Sequence, residues 1–251
     1  MRYLILSDIH GNWEALSAVL SHVRRKKFER VLFLGDAVGY GASPNAIMDW
    51  LRGLGASVDS VRGNHDRVCS GLDSGDYFNR YALQAVHWTA DHLEDRNRKM
   101  LQELPQGPKV IEEQLAICHG APHDEDAYVF SGNDALSAFG EIHQQVIFFG
   151  HTHVPSLFVL DEGSSGPFLE VRLLAGERQQ LNLEGGRRYL INPGSVGQPR
   201  DRDPRAAYGI YDSEIRRFYH YRVVYSAAEA RRRIIRVGLP PMLGDRLLHG
   251  V

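Results

Sequence analysis

Asp8, His10, Asp36, Asn64, His119, His151 and His153 offer oxygen or imidazole donors, and each lies just after a segment that reads as a short strand. His151 and His153 illustrate the pattern: they follow Val146-Ile147-Phe148-Phe149 and are two residues apart, so an extended backbone turns both rings to one face. A lone His-x-His is more often a structural or incidental pair, and it is the whole set that argues for metal binding. The set contains no thiolate. Its mixture of carboxylate, carboxamide and imidazole suits two divalent transition-metal ions such as manganese, iron or zinc, whereas magnesium or calcium would not favour so many imidazoles. Asp36 is the natural bridge, because its two oxygens can serve ions about 3.5–4 Å apart, the spacing of two-metal hydrolases.

The elements that must position these residues alternate. Tyr3 to Leu6 reads as a buried strand, and Asn12 caps a helix with an apolar stripe at Trp13, Leu16, Val19, Leu20 and Val23. Val31 to Leu34 reads as a second strand, Ser43-Pro44 opens a second helix, and Val58 to Val61 makes a third strand. This alternation predicts parallel strands with ligands gathered at their carboxyl ends. Tyr77 to Leu104 is rich in helix formers and predicts an inserted helical pair beside the site, with His87 and His92 as surface or packing residues. Val110-Ile111 and Leu115 to Cys118 predict a hairpin, and about Asn133 to His143 a helix. From Leu157 to Val224, five β-rich segments separated by Gly, Pro, Asp and Ser predict a second, mostly antiparallel sheet. Ser226 and Glu229 form a capping-box pattern ahead of a last helix, Ala227 to Arg236, whose arginine run is expected to be a solvated face.

Composition narrows the function classes. With 251 residues, 43% of them hydrophobic, the chain can bury one sizeable core, and a single domain over 1–251 is expected. A formal net charge of -2 gives no global pull toward extended nucleic acid or an anionic membrane. Cys69 and Cys118 form no Cys-x-x-Cys pair, and no stretch approaches transmembrane length, so a cytoplasmic location is expected. An antiparallel sheet edge leaves pairing into a homo-oligomer open. Ser195 lacks a nucleophile-elbow context, and there is no Walker or dinucleotide fingerprint.

Asp8-Ile9-His10, Gly35-Asp36, Gly63-Asn64-His65-Asp66, His119-Gly120 and Gly150-His151-Thr152-His153, in this order, resemble the motifs of the calcineurin-like metallophosphoesterase superfamily. The Asn192-Pro193-Gly194-Ser195-Val196-Gly197 stretch resembles a loop of its small prokaryotic phosphodiesterase branch. The resemblance implies an α/β (α+β) fold, a four-layer αββα sandwich of two mixed β-sheets flanked by helices. It implies that Asp8, His10 and His153 hold one metal, that Asn64, His119 and His151 hold the second, and that Asp36 bridges. The implied reaction is phosphodiester hydrolysis of a small phosphate ester or nucleotide by a hydroxide bridging the metals, with His65 as general acid and Asp66 supporting its charge.

The sequence also departs from relatives of that resemblance. Protein serine/threonine phosphatases carry Asp and Arg three and four residues after the bridging aspartate, and the symmetrical dinucleoside tetraphosphate hydrolases keep that Arg; here the positions are Gly39 and Tyr40. Substrate phosphate is then expected to meet Asn64, Arg67 or the backbone N–H of Gly194, with Arg200, Arg202 and Arg205 as further sources of a guanidinium. A dinucleoside tetraphosphate hydrolase and a phosphomonoesterase stand as the alternative enzymes. Retention of His65 and all seven ligand positions argues against a non-catalytic scaffold.

Overall fold

The computed structural model describes residues 1–163 and 166–251. The first half alternates as β1 (Arg2–Leu6), α1 (Trp13–Val23), β2 (Arg30–Phe33), α2 (Pro44–Leu54) and β3 (Val58–Ser60). Three helices follow, α3 (Asn64–Cys69), α4 (Arg80–His92) and α5 (Asp95–Glu103), then β4 (Lys109–Glu112), β5 (Leu115–Ile117), α6 (Gly132–Glu141) and β6 (Val146–Phe148). The remainder is β7 (Ser156–Asp161), β8 (Phe168–Leu173), β9 (Arg178–Asn182), β10 (Arg187–Asn192), β11 (Ala206–Asp212) and β12 (Arg217–Val223), closed by α7 (Ala227–Arg236) and α8 (Pro241–Asp245).

Two six-stranded mixed sheets result, in the orders β3-β2-β1-β11-β12-β9 and β4-β5-β6-β10-β7-β8. In the first, β1, β2 and β3 are parallel and β1 meets β11 antiparallel; in the second, β5, β6 and β10 are parallel. The continuous apolar runs follow from burial on both faces. In β1, Tyr3 and Ile5 face the space between the sheets, while Leu4 and Leu6 face outward onto Leu16 and Val19 of α1 and Ile47 and Leu51 of α2. In β6, Val146 and Phe148 point to the inter-sheet core and Ile147 packs outward with Ala135, Ala138 and Phe139 of α6. This arrangement is the four-layer αββα sandwich.

The structure departs from the residue-level reading in four places. The later strands do not form a separate antiparallel sheet. They are divided, β9, β11 and β12 extending the β1 sheet and β7, β8 and β10 extending the β6 sheet, because the exposed edges of both parallel halves need partners. The polar strand β9 is additional, pairing at the sheet edge with β12. Ser226 occupies the N-cap of α7 without a side-chain cap bond. The arginine run on α7 is not simply solvated: Arg233 Nε lies 2.8 Å from Glu14 Oε1 and its Nη1 donates to Ser43 Oγ at 3.1 Å, tying α7 to α1 and α2. Among the described residues, no helix is long and apolar enough to cross a membrane.

Candidate metal centre

The carboxyl ends of β1, β2, β5 and β6 converge at one edge of the sandwich, and the chain there is bent sharply. Non-glycine residues with positive φ are Asp8, His10, Asp36, Tyr40, His151, His153, Arg202 and Arg216 among those described. Five of the seven expected ligands are in that group, a concentration of backbone strain that marks a functional site. Close packing accompanies the bends. A Cβ on Gly150 would stand 2.0 Å from Ser7 Oγ, so only glycine lets the β6 end approach the β1 end closely enough for the two sets of donors to meet.

The donors form two adjoining groups, Asp8, His10, Asp36 and His153, and Asp36, His119 and His151, with the ligand atoms of each group within 4.8 Å of one another. Asn64 adds its Oδ1 3.3 Å from His119 Nε2. Asp36 belongs to both groups through one oxygen: Oδ2 lies 3.4 Å from His10 Nε2 and 3.5 Å from His119 Nε2. Its Oδ1 instead accepts the His65 backbone N–H at 2.9 Å. Oδ2 thus faces both groups, while Oδ1 also holds the turn that carries His65.

The fit to metal can be tested on the imidazole tautomers. A carbonyl oxygen only accepts, so the ring nitrogen facing it carries the hydrogen. His10 Nδ1 donates to Val38 O at 3.0 Å, His119 Nδ1 to Leu34 O at 2.8 Å, His153 Nδ1 to Gln198 O at 2.6 Å, and His151 Nε2 to Asp126 O at 3.0 Å. The opposite nitrogen of each ring is then a bare lone pair. Those lone pairs face one another, His10 Nε2 3.2 Å from His153 Nε2 and His151 Nδ1 3.1 Å from His119 Nε2. Acceptors turned together in a buried site repel unless cations lie between them, and two divalent ions fit this donor set.

The electrostatics point the same way. Burial, ahead of any charge, pushes the Asp8 carboxyl up to about 7, and burial followed by the Asp66 carboxylate raises Asp36 well above the ordinary range. Burial also holds His10, His151 and His153 well below the usual histidine range, in the neutral form that binds metal. Bound dications offset the two buried carboxylates. Burial, followed by the Arg200 charge, also lowers His65 well below the usual histidine range.

His65 lines the cleft over these groups, its ring 4.7 Å from His10, 4.4 Å from Tyr40 and 4.6 Å from Phe78, with Nδ1 unpartnered. Three other expectations change. Asp66 does not support the His65 ring: its carboxylate accepts the backbone N–H groups of Asp36 at 2.8 Å, Gly63 at 3.1 Å and Val38 at 3.2 Å, fastening the β2 loop to α3. Arg67 is already paired with Asp73 at 3.0 Å, Asp126 at 2.6 Å and Glu125, and so braces the segment whose Asp126 carbonyl orients His151. Gly194 spends its N–H on Asn192 Oδ1 at 2.8 Å, which leaves it no donor for a phosphate. Arg202 is exposed and Arg205 is paired with Asp203. Arg200 alone of the four arginines lines the cleft. Two contributors had no sequence signal. Tyr128 stacks on His151 at 4.0 Å, and Gln198 sends its carbonyl to His153 and its side chain to Arg200.

Residues 1–215 match the family model described as the calcineurin-like phosphoesterase superfamily domain. The chain is 38% identical over 256 aligned positions to an uncharacterized protein of Methanocaldococcus jannaschii, covering 98% of this chain and 97% of the relative. A solved metallophosphoesterase from Sphaerobacter thermophilus superposes with a TM-score of 0.84 at 37% identity, over 100% of this chain and 99% of its own. A shorter similarity, 37% identity over 67 residues, 26% of this chain and 24% of the relative, is to the symmetrical bis(5'-nucleosyl)-tetraphosphatase of Sodalis glossinidius. Similarity of this extent, joined to the paired ligand groups, shows that the chain belongs to the calcineurin-like phosphoesterase superfamily and is a metallophosphoesterase with a dinuclear metal site.

Proposed function

We propose that the chain, acting as one unit over 1–251, is a phosphodiesterase of the small prokaryotic branch that hydrolyses small phosphate esters or nucleotides. The observation that carries this reading is the cleft above the ligand groups. It holds ≈ 210 Å³, is floored by Asp36, Asn64, His151 and His153, and is walled by Tyr40, Tyr77, Phe78 and Tyr128. That volume suits a small ester and not a folded protein surface. Tyr77 and Tyr128 are 54% and 46% exposed, so aromatic surface borders the cleft where the substituents of an ester would lie. Arg200 is the one cation lining the cleft among the described residues, which suits the single negative charge of a diester better than the dianion of a monoester.

In this reading Asp8, His10 and His153 would hold one ion, Asn64, His119 and His151 would hold the other, and Asp36, which belongs to both groups, would serve both. The ions supply an activated water nucleophile and neutralise charge on the phosphoryl oxygens. The backbone carbonyls of Val38, Leu34, Gln198 and Asp126 keep the four imidazoles in the ligating tautomer. His65 presents its ring to the leaving oxygen and, in its protonated form, donates the imidazolium proton there and is left neutral. The short similarity to a symmetrical bis(5'-nucleosyl)-tetraphosphatase favours a second reading, hydrolysis of dinucleoside polyphosphates.

The test is manganese-dependent cleavage of bis-p-nitrophenyl phosphate, compared with cyclic nucleotides, diadenosine tetraphosphate and p-nitrophenyl phosphate. Diesters should turn over fastest, and His65→Ala should lose most on poor leaving groups. A metal-loaded protein with no hydrolysis of any of them rules the proposal out.

A further inference from the structure

The cleft contains a cation that makes no ion pair among the described residues, its nearest carboxylates being those of the ligand groups. Arg200 enters from the loop after β10, its backbone N–H donating to His153 O at 3.3 Å. Its Nε and Nη2 donate to Gln198 Oε1 at 3.3 and 3.0 Å, and Nη2 also lies 3.5 Å from the Tyr40 hydroxyl, with the guanidinium 5.9 Å from the Tyr40 ring centroid. All of these partners are neutral. Among the described residues no carboxylate comes within ion-pair distance of Arg200, whereas nearby Arg62, Arg67, Arg205 and Arg222 are each paired with one. Nη1 has no partner. The Gln198 side chain that steadies the guanidinium is itself buried, with its Nε2 unpartnered.

A half-buried cation held only by neutral acceptors forgoes both full hydration and a counter-charge, an arrangement that favours an anion at its open side. The planar fork, fixed along Nε and Nη2 and open at Nη1, is suited to an anionic oxygen of a phosphoryl group.

We infer that Arg200 is an anion-binding residue that takes a phosphoryl oxygen of the substrate beside the two metal positions, with Gln198 and Tyr40 as positioning residues for its guanidinium. The inference rests on the phosphate-ester reading and names the residue of this chain that recognises the phosphate. Gln198 couples the two halves of the site, since the same residue fixes the His153 tautomer through its carbonyl and the Arg200 fork through its side chain.

The experiment is calorimetric titration of inorganic phosphate into the manganese-loaded protein, with metal content measured on the same samples. It compares the parent with Arg200→Met, Arg200→Gln, Arg200→Lys and Tyr40→Phe. Arg200→Met and Arg200→Gln should each weaken phosphate binding by roughly ten- to a hundredfold, the range for losing charge-assisted hydrogen bonds, with metal content unchanged. Arg200→Lys should retain part of the affinity, and Tyr40→Phe should lose less than Arg200→Met. Unchanged phosphate affinity in both neutral variants overturns the inference, and so does a loss that tracks loss of metal. The two neutral variants guard against one of them misfolding. Phosphate binding that needs Arg200 in a protein that cleaves no ester would sink the proposed function and leave this inference standing; ester cleavage with phosphate affinity independent of Arg200 would do the reverse.

Discussion

Replacing Asp66 separates a structural carboxylate from a catalytic one. Its oxygens accept three backbone N–H groups, those of Asp36, Gly63 and Val38, and the residue is fully buried. Asp66→Ala leaves all three buried donors without their carboxylate partner. Each orphaned buried donor costs about 1–3 kcal/mol, and because the three share one loop the losses will not simply add, so about 3–5 kcal/mol is expected. Asp66→Asn keeps one oxygen but sets an amide against one of the N–H groups, for a loss of about 1–3 kcal/mol. Against a total stability of about 5–15 kcal/mol, both losses are measurable by urea unfolding at neutral pH in the presence of chelator. Activity should fall with them, because Asp36 and Gly63 sit on the backbone that Asp66 holds. Had Asp66 served His65 instead, Asp66→Asn would leave the unfolding midpoint unchanged and depress only turnover; that result would refute the structural role.

Two further perturbations probe other parts of the molecule. His220 is buried against Pro193 O at 3.2 Å, and burial, then the Arg222 charge, lowers it to about 3 from 6.5. Between those values the unfolded chain binds a proton that the native state refuses, so stability is complete above the unfolded value and falls with pH below it, by about 1.4 kcal/mol per unit. Unfolding of His220→Gln should show a shallower loss than the parent between neutral pH and pH of about 5; identical slopes would contradict the assignment. His151→Ala and His153→Ala should each deplete a different one of the two metal positions, read as site-specific loss of bound metal in the two variants, and depletion of the same position by both would contradict the division of ligands.

The candidate ligands are legible in the sequence because each follows a short strand, and strand ends are local features. Pairing was not. β11 lies beside β1, with Arg2 opposite Asp212, through contacts that no local pattern encodes. Arg-Gln-Gln-Leu-Asn in β9 carries a single apolar residue, Leu181, and edge pairing with β12 decides its conformation. Arg67 looked free beside the Asn64 motif because its partner Glu125 stands 58 residues away, while Arg200 looked like one surface arginine among several. Whether a guanidinium is available to a ligand depends on which carboxylates the fold brings to it, and spacing does not record that. The hydrogen bond that Asp36 Oδ1 accepts from the His65 N–H is likewise a product of the turn and not of spacing.

The most direct measurement is anomalous diffraction from crystals of the manganese-loaded protein. Two peaks should appear about 3–4 Å apart, one among Asp8, His10 and His153 and the other among Asn64, His119 and His151, with Asp36 Oδ2 in contact with both. A single peak, or two ions of which Asp36 touches only one, would contradict the dinuclear centre on which the proposed chemistry depends.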